Sequence, residues 1–415
     1  MRASRRVRRR GGVVRAVRAM RAGRTPWLLF LAASIGSAAP LHFAFGPGGN
    51  AQGKPPYDAA RGFGFEPGSA TRFSVRVPEG NYRVTVRLGG TAAGSTTLLA
   101  EQRRLLVEDL RTRPRRHVDL DLAVNVRTPA LAAPPPNAPG GDGVRLKPRE
   151  VGSLTWDDRL TLEFAGAAPQ VAALTIEPAD LPTLYLAGDS TVTDQPQAPA
   201  ASWGQMLPRF FAPDIAVANH AESGETLKSF VTELRLDKLL STLRAGDWVM
   251  IQFGHNDQKS QWPQTYAEAA TTYRSWLRVY LAEVRRRGAT PILVTSPERR
   301  NFDGAGHIVN SHGDYPAAVR EVARAEGVAL VDLNDMSRRF YEALGPDLAA
   351  RAFADEGRDK THHDEYGARS LARMVVEGLR AADPRLLAGL ADHIAADAGH
   401  YGPAHPVPPA NSRPR

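Results

Sequence analysis

Five short runs of mostly apolar residues in the second half of the chain constrain its fold more than any other feature of the sequence. Each run is six or seven residues long, and stretches with helical periodicity, such as 265–288, lie between the runs. A strand that is apolar along its whole length is buried on both faces, as in a parallel sheet covered by helices. The pattern predicts a doubly wound α/β domain over residues 183–393, followed by a flexible tail at 394–415. The predicted strands are 183–188, 215–220, 247–253, 291–296 and 328–333.

Residues 40–182 follow a different pattern, in which apolar and polar residues alternate. Phe73, Val75 and Val77 recur at period 2, and the same alternation resumes after a turn at 78–81. Alternation of this kind is typical of strands with one buried face, and no stretch of helical length interrupts it. We therefore predict an antiparallel β-sandwich, with the Pro- and Gly-rich residues 128–143 as a surface loop.

The first 39 residues resemble a signal peptide. The chain has a formal net charge of +9, but residues 1–24 contain ten arginines and no acidic residue, so the remainder is close to neutral. The apolar stretch 27–39 is too short to span a bilayer and ends in small residues, as before a cleavage site. We expect cleavage after Ala38 or Ala39, a secreted or periplasmic protein, no nucleic-acid partner and no stable membrane anchor. Sec or twin-arginine export, and a start codon further downstream, remain open.

Cysteine is absent from the chain. Disulfides, zinc sites with thiolate ligands and cysteine nucleophiles are therefore excluded.

Ligands of an open α/β sheet bind beyond the carboxyl ends of its strands, so the loops after the predicted strands are where a site is expected. Three of these loops carry residues suited to catalysis. Ser190 follows the first strand on a predicted strand-to-helix turn, where it is either a nucleophile or a helix cap. Gly224 precedes an amphipathic stretch, where its N–H either approaches a ligand or belongs to an ordinary loop. Asn256 follows the third strand, where its amide either faces the same crevice or caps a helix.

A carboxylate and a histidine near the carboxyl terminus complete a candidate catalytic set. Asp359 precedes His362 by three residues, so its carboxylate can accept from the imidazole while the other ring nitrogen deprotonates Ser190. His362 and His363 could instead bind a metal, but adjacent residues rarely converge on one ion, and we predict no metal site. A solvated loop histidine is the other alternative.

Four segments resemble, in order, the conserved blocks of the SGNH/GDSL hydrolases: AGDSTVTDQ, AESGETLKSF, FGHNDQKS and DKTHHDEYGA. Within that superfamily, GDSTVTDQ, SWGQML, QFGHNDQK, SHGDYPAAVRE and DKTHHDEYGA are similar to the rhamnogalacturonan acetylesterases, which remove acetyl groups from pectin. The resemblance spans about 183–380. It implies a flavodoxin-like catalytic domain that needs neither a metal nor an organic cofactor.

The resemblance also implies a role for each matching residue. Ser190 would be the nucleophile, His362 the base and Asp359 its orienting carboxylate. The oxyanion hole would comprise the N–H groups of Ser190 and Gly224 and the side-chain amide of Asn256.

Other residues near these blocks have weaker indications. We expect His255 and Asp257 to shape their loop. The segment GHIVNSHGDYPAAV contains His307, His312 and Tyr315, which either line a sugar cleft or belong to an ordinary surface loop.

The sandwich resembles the galactose-binding-like domains that precede the catalytic domain in some bacterial pectin acetylesterases. The segments LHFAFGPGG and FSVRVPEGNYRVTVRLGG carry this resemblance, whereas the insert 128–143 departs from it. Sugar binding and a spacer role both remain open for this domain. Trp156 is predicted to be a core residue.

Taken together, these features predict a secreted carbohydrate esterase that removes acetyl groups from rhamnogalacturonan, with an acetylated plant polysaccharide as its partner. One alternative is an SGNH esterase acting on acetylated xylan or on lipid or thioester acyl chains. The non-enzymatic alternative is an inactive sugar-binding protein, against which the intact Ser190, Asp359 and His362 argue. The sequence indicates neither the acetyl position nor the oligomeric state.

Overall fold

The structure is a computed structural model that describes residues 39–45, 55–137 and 140–399. The predicted signal peptide, apart from its last residue, and residues 400–415 of the predicted tail lie outside this range.

The amino-terminal half contains two antiparallel sheets that pack face to face. The strand orders are β1-β9-β4-β7 in one sheet and β2-β3-β8-β5-β6 in the other. This confirms the predicted β-sandwich. The strands are β1 (Leu41–Ala44), β2 (Phe63–Phe65), β3 (Arg72–Arg76), β4 (Gly80–Leu88), β5 (Gly94–Ala100), β6 (Arg104–Thr112), β7 (Val118–Val126), β8 (Arg159–Ala168) and β9 (Val171–Pro178).

Alternating side chains fill the space between the two sheets. In β4, Val84, Val86 and Leu88 are fully buried, whereas Arg87 between them faces outward and pairs with Asp119. Period-2 alternation assigns each residue of a strand to one face of the sheet, and it therefore fixes the register of the strand.

The second half contains one five-stranded sheet in which every pair of neighbouring strands is parallel. The strand order is β11-β10-β12-β13-β14. This order confirms the predicted doubly wound sheet. Each strand begins and ends within two residues of its predicted bounds. The strands are β10 (Thr183–Gly188), β11 (Ala216–Asn219), β12 (Trp248–Gln252), β13 (Thr290–Val294) and β14 (Ala329–Val331).

Helices cover both faces of this sheet. Leu184 and Leu186 pack into a core on one face, whereas Tyr185 and Ala187 pack into a core on the other. This arrangement explains why the strands are apolar at consecutive positions. The helices are α1 (Trp203–Met206), α2 (Leu227–Thr232), α3 (Arg235–Thr242), α4 (Thr272–Arg286), α5 (Tyr315–Glu326), α6 (Leu333–Ala349), α7 (Glu365–Ala381) and α8 (Pro384–Leu387).

One predicted helix is shorter than expected. The pattern predicts a helix over 265–288, but α4 begins only at Thr272 because the chain before it forms turns. The Tyr266 N–H donates to the Trp262 carbonyl, and the Glu268 N–H donates to the Thr272 hydroxyl. These local hydrogen bonds compete with the first helical turn.

The segment between β7 and β8, residues 127–158, joins two strands of the sandwich but contacts the α/β layer. We call it the β7–β8 connection. Its Arg145 N–H donates to the Glu233 carbonyl, and its Glu150 forms a bidentate pair with the fully buried Arg235 of α3. It includes the predicted surface loop 128–143, of which 138 and 139 are not described. The connection therefore brings residues from early in the chain to the side of the parallel sheet.

Residues 394–399 belong to the segment that the sequence predicts to be a tail. The Ala395 N–H donates to the Phe210 carbonyl, so this part packs against the α/β layer. Across the described ranges, no helix has the length and apolar character that a membrane span requires.

Candidate active site

The predicted catalytic loops meet at the carboxyl end of the parallel sheet. Ser190 lies two residues after β10, Gly224 follows β11, and Asn256 follows β12. His362 lies in the loop before α7, whose amino terminus is capped by the Asp364 side chain. Because β10 lies between β11 and β12, the sheet brings the three strand-end loops side by side.

A chain of two hydrogen bonds joins Asp359, His362 and Ser190. The His362 Nδ1 lies 2.7 Å from Asp359 Oδ2, and the His362 Nε2 lies 2.9 Å from Ser190 Oγ. Asp359 Oδ1 also accepts from the N–H groups of Thr361 and His362. With the carboxylate accepting from Nδ1–H, Nε2 is free to accept the proton of the serine hydroxyl.

Burial disfavours the charged form of Asp359, but the hydrogen bonds from His362 and Thr361 outweigh it. They hold the pKa of this carboxyl below its ordinary value. Asp359 is therefore ionised at neutral pH.

Ser190 lies in a tight turn and not at the start of a helix, which corrects the predicted strand-to-helix turn. The Asp189 side chain accepts from the Thr191 N–H and hydroxyl, and the Asp189 carbonyl accepts from the N–H groups of Val192 and Thr193. The next helix, α1, begins at Trp203 and is capped by Ser202. Ser190 therefore caps no helix.

Gly224 occupies a backbone conformation that favours glycine. Its φ is +84°, in the left-handed region that most side chains avoid. In the part of the chain that the structure describes, no group accepts a hydrogen bond from the N–H of Gly224 or of Ser190. Both donors are therefore available to a ligand.

Asn256 also lies in a turn, sixteen residues before α4 begins at Thr272, so it is not a helix cap. Its Nδ2 donates one hydrogen to the Glu225 carbonyl at 3.0 Å, which leaves the second hydrogen for a ligand. The amide therefore links the loop after β12 to the loop after β11.

Three cationic side chains near these donors were not found from the sequence. Lys147 and Arg149 contact the Ser223 carbonyl, and Lys259 contacts the Asn256 side chain. Lys259 follows Asn256 by three residues, a spacing that could have indicated a contact within one turn. Nothing in the sequence relates Lys147 or Arg149 to a residue more than seventy positions away.

A cavity of about 340 Å³ lies beside Asp359 and His362. One side is formed by His362, Asp359 and the loop at Glu222, and the other by the β7–β8 connection. Trp156 lines this cavity but is only 7% exposed; the Arg127 guanidinium lies 4.5 Å from its ring centre. The lining residues are Gln102, Arg149, Glu150, Ser153, Thr155, Trp156, Thr193, Asp194, Gln195, Pro196, Ala200, Glu222, Ser223, Asp359 and His362.

Buried ionisable groups lie behind the loops that follow β10, β11 and β12. Burial raises the pKa of Asp257 to about 7, although its carboxylate accepts from the N–H groups of Leu227 and Gly254. Burial likewise raises the pKa of Asp189 to about 6. His255 is fully buried, and burial together with the neighbouring His312 lowers its pKa well below the ordinary value. The hydrogen bonds of Asp189 and Asp257 hold the loops after β10, β11 and β12 in place.

The predicted sugar contacts do not come together at a cleft. His312 is fully buried, and its Nε2 lies 2.9 Å from the Pro297 carbonyl. Tyr315 is 8% exposed, and its hydroxyl donates to the Ala267 carbonyl. Of the three, His307 alone is exposed. His312 lies in the turn before α5 and Tyr315 at the start of that helix, and both rings point inward, so neither is placed to contact a sugar.

The two adjacent histidines point to different partners. His363 is buried, its Nε2 lies 2.6 Å from the Tyr341 hydroxyl, and burial lowers its pKa to about 3. Within the described ranges, no three His, Asp or Glu side chains are grouped as ligands of a single metal ion.

Comparison with known proteins gives matches over this part of the chain. Residues 186–369 match the GDSL-like lipase/acylhydrolase family. The rhamnogalacturonan acetylesterase RhgT of Bacillus subtilis is 37% identical over 229 residues, which cover 52% of this chain and 95% of that protein. The probable rhamnogalacturonan acetylesterase YesY of B. subtilis is 36% identical over 200 residues, covering 48% of this chain and 92% of that protein.

A third match is longer. The uncharacterized esterase YxiM of B. subtilis is 28% identical over 329 residues, which cover 78% of each chain. An alignment of this length extends beyond the α/β layer into the sandwich. The chain belongs to the GDSL-like lipase/acylhydrolase family, and it is a carboxylic-ester hydrolase.

Proposed function

We propose that this protein is a carbohydrate esterase that removes acetyl groups from rhamnogalacturonan through an acyl-enzyme on Ser190. The observation that carries the proposal is the hydrogen-bonded series from Asp359 through His362 to Ser190, beside unpartnered backbone donors. The names of the relatives that match nearly along their whole length support the substrate class.

The geometry is suited to two-step acyl transfer. Ser190 Oγ attacks the acetyl carbonyl while His362 Nε2 takes its proton, and the imidazolium is stabilised by Asp359. The carbonyl oxygen becomes an oxyanion that accepts hydrogen bonds from the N–H groups of Ser190 and Gly224 and from Asn256 Nδ2. The sugar alkoxide leaves with the proton from His362. A water molecule, deprotonated by His362, then attacks the acyl carbonyl, and Ser190 Oγ leaves with that proton, which releases acetic acid and restores the serine.

The side chains around the cavity include many hydrogen-bonding groups, although carbon atoms make up most of its accessible surface. Charged and hydroxyl-bearing residues such as Arg149, Glu150 and Thr193 predominate among those that surround it. A long acyl chain is bound by an apolar lining, whereas a sugar requires hydrogen-bonding groups. A long acyl chain in this cavity would also remove water from charged side chains such as Arg149, and for this reason we favour a carbohydrate ester over the lipid ester alternative.

The proposal includes export, with residues 1–39 as a signal peptide that is removed. Amino-terminal sequencing of exported protein tests this part, and a first residue near 39 or 40 is expected. An intact Met1 on exported protein would contradict it.

Acetate release from three substrates tests the function directly. We expect faster release per acetyl group from acetylated rhamnogalacturonan than from acetylated xylan, and negligible hydrolysis of a long-chain ester. Ser190→Ala serves as the control for contaminating esterases. Preference for xylan or for the long-chain ester would overturn the proposed substrate while leaving the ester-hydrolase assignment intact.

A further inference from the structure

Two of the predicted oxyanion donors are amide groups, the Gly224 N–H and the Asn256 side chain. In each case a cationic side chain donates a hydrogen bond to the oxygen of the same amide. The carbonyl of Ser223 and the N–H of Gly224 belong to the same peptide group. Lys147 Nζ donates to that carbonyl at 2.8 Å, and Arg149 Nη2 donates to it at 2.5 Å. Two charge-assisted hydrogen bonds therefore converge on the oxygen end of the peptide whose nitrogen end carries the predicted oxyanion donor.

The side-chain amide of Asn256 has the same arrangement. Lys259 Nζ donates to Asn256 Oδ1 at 2.7 Å, while Asn256 Nδ2 carries the predicted oxyanion donor. The ring of Trp262 lies 4.6 Å from the same ammonium group. The lysine is therefore held between an aromatic face and the amide oxygen.

These cations are fixed in place by further contacts. Lys147 also pairs with the fully buried Glu225, and Arg149 pairs with Glu222, whose side chain is 11% exposed. The carboxylates balance part of the positive charge, so direct Coulomb attraction between the cations and an oxyanion is reduced. The contact with the amide oxygen is the route by which the cations can act on the site.

A cation on an amide oxygen strengthens the N–H of the same amide. It draws electron density towards oxygen and leaves the nitrogen more positive, so hydrogen bonds in series polarise one another. It also fixes the plane of the amide, and a donor that is already oriented needs no reorganisation when negative charge develops.

We propose that Lys147, Arg149 and Lys259 are positioning residues of the oxyanion hole, which orient and polarise the amides of Gly224 and Asn256. This inference rests on the proposed function, because it requires that these amides stabilise an oxyanion on a substrate attacked by Ser190. Lys147 and Arg149 lie in the β7–β8 connection, outside the matched residues 186–369. A loop of the sandwich is thus part of the catalytic apparatus.

Replacement of each lysine by methionine tests the proposal with the full-length mature chain and p-nitrophenyl acetate. We expect kcat to fall about tenfold for Lys147→Met and for Lys259→Met, with KM changed by less than about twofold. The loss is smaller than the hundredfold or more caused by removal of a donor itself. Lys147→Arg and Lys259→Arg should restore part of kcat, because they return a cationic donor.

Lys228→Met is the matched control. Lys228 also donates to main-chain carbonyls, those of Pro263 and Tyr266, but to no amide that faces Ser190. Its kcat should equal that of the unaltered chain. If both other methionine variants also keep kcat within about twofold, the proposal is wrong.

A double-variant cycle separates positioning from simple stability. Lys259 acts through Asn256, so Lys259→Met should have little further effect on kcat in an Asn256→Ala background. Lys147 acts through Gly224, so Lys147→Met should lower kcat by the same factor in either background. Equal factors for Lys259→Met in both backgrounds would overturn its assignment.

Two measurements keep the outcomes distinct. All kinetics are run well below the melting temperature of each variant, since loss of Lys147 leaves Glu225 buried with one partner fewer. The unaltered chain and Ser190→Ala are assayed in parallel. If the unaltered chain is inactive, or if Ser190→Ala is active, the proposed function fails; if those two behave as expected, the lysine variants test the positioning alone.

Discussion

Ser190 lies two residues after a strand in which every residue is buried, and the residue itself is 8% exposed. Its hydroxyl has a defined partner, since His362 is held on its other side by Asp359. In the proposed mechanism, a weak nucleophile depends on its base and on the carboxylate that orients that base, so we expect the three residues to act as a unit.

Ser190→Ala should lower kcat on a small acetyl ester by at least about a thousandfold, because the nucleophile is lost while the fold is kept. Steady-state kinetics with circular dichroism as the control checks this. Near-normal turnover with an unchanged spectrum would show that another residue attacks the ester.

Asn256→Ala should lower kcat by about a hundredfold to a thousandfold with little change in KM, because an oxyanion donor acts mainly in the transition state. Kinetics and melting temperature on the same variant provide the test. A lower melting temperature with unaltered kcat would assign the residue to loop structure, since its amide also holds the Glu225 carbonyl.

At the scale of elements, the catalytic loops are held partly by the sandwich. Arg104 of β6 pairs with Asp194 in the loop after Ser190, and their side chains are 3% and 1% exposed. The Asn219 side chain donates to the other oxygen of Asp194, so three elements meet at one carboxylate. Arg103 donates to the carbonyls of Gln195 and Ala200 in the same loop.

Arg104→Met should lower the free energy of unfolding by about 3–5 kcal/mol, because it leaves the carboxylate of Asp194 buried without its cation. Urea unfolding provides the measurement. Arg87→Met, which breaks an exposed pair with Asp119, is the control and should leave stability nearly unchanged. Equal effects of the two substitutions would contradict the importance that we assign to burial.

The sequence predicts local features of these elements well and contacts between distant segments poorly. Continuous apolar runs predict β10 to β14 because a doubly covered sheet leaves no polar face, and the spacing of Asp359 and His362 limits how the two side chains can meet. Lys147 and Arg149 were missed because their contact with Ser223 is set by how the sandwich packs on the α/β layer. Ser190 was expected before a helix because helix propensity does not reveal the hydrogen bonds that Asp189 makes within its turn.

At the scale of the whole molecule, buried charge accumulates where the sandwich meets the α/β layer. Glu101 is 4% exposed in the turn between β5 and β6, and its side chain accepts from the Thr161 N–H. Burial raises the pKa of Glu101 from 4.5 to about 8, against the lowering effect of Arg104. The folded chain therefore retains this proton at pH values where the unfolded chain has lost it.

This proton makes stability depend on pH. The stabilising contribution of protonated Glu101 to the free energy of unfolding is complete below about pH 4.5. It is lost as pH rises towards 8, because the unfolded chain binds fewer protons than the folded chain over that range. Glu101→Gln removes the titration and keeps the acceptor. The variant should melt at nearly the same temperature as the unaltered chain at pH 4.5, and a few degrees higher at pH 8. A melting-temperature difference that does not change with pH would show that Glu101 does not titrate in this interval.

The β7–β8 connection limits where the chain can be cut and joined for engineering. A fragment that begins at Thr183 keeps Ser190, Asp359 and His362, yet it lacks Lys147, Arg149 and one side of the cavity. A chimera that exchanges one sandwich for another would replace those residues too, even though its junction lies far from the catalytic serine. Gene fusions with this protein should therefore keep residues 144–158 together with the hydrolase domain. In the sequence these residues belong to the sandwich, but in space they lie beside Ser223 and the cavity.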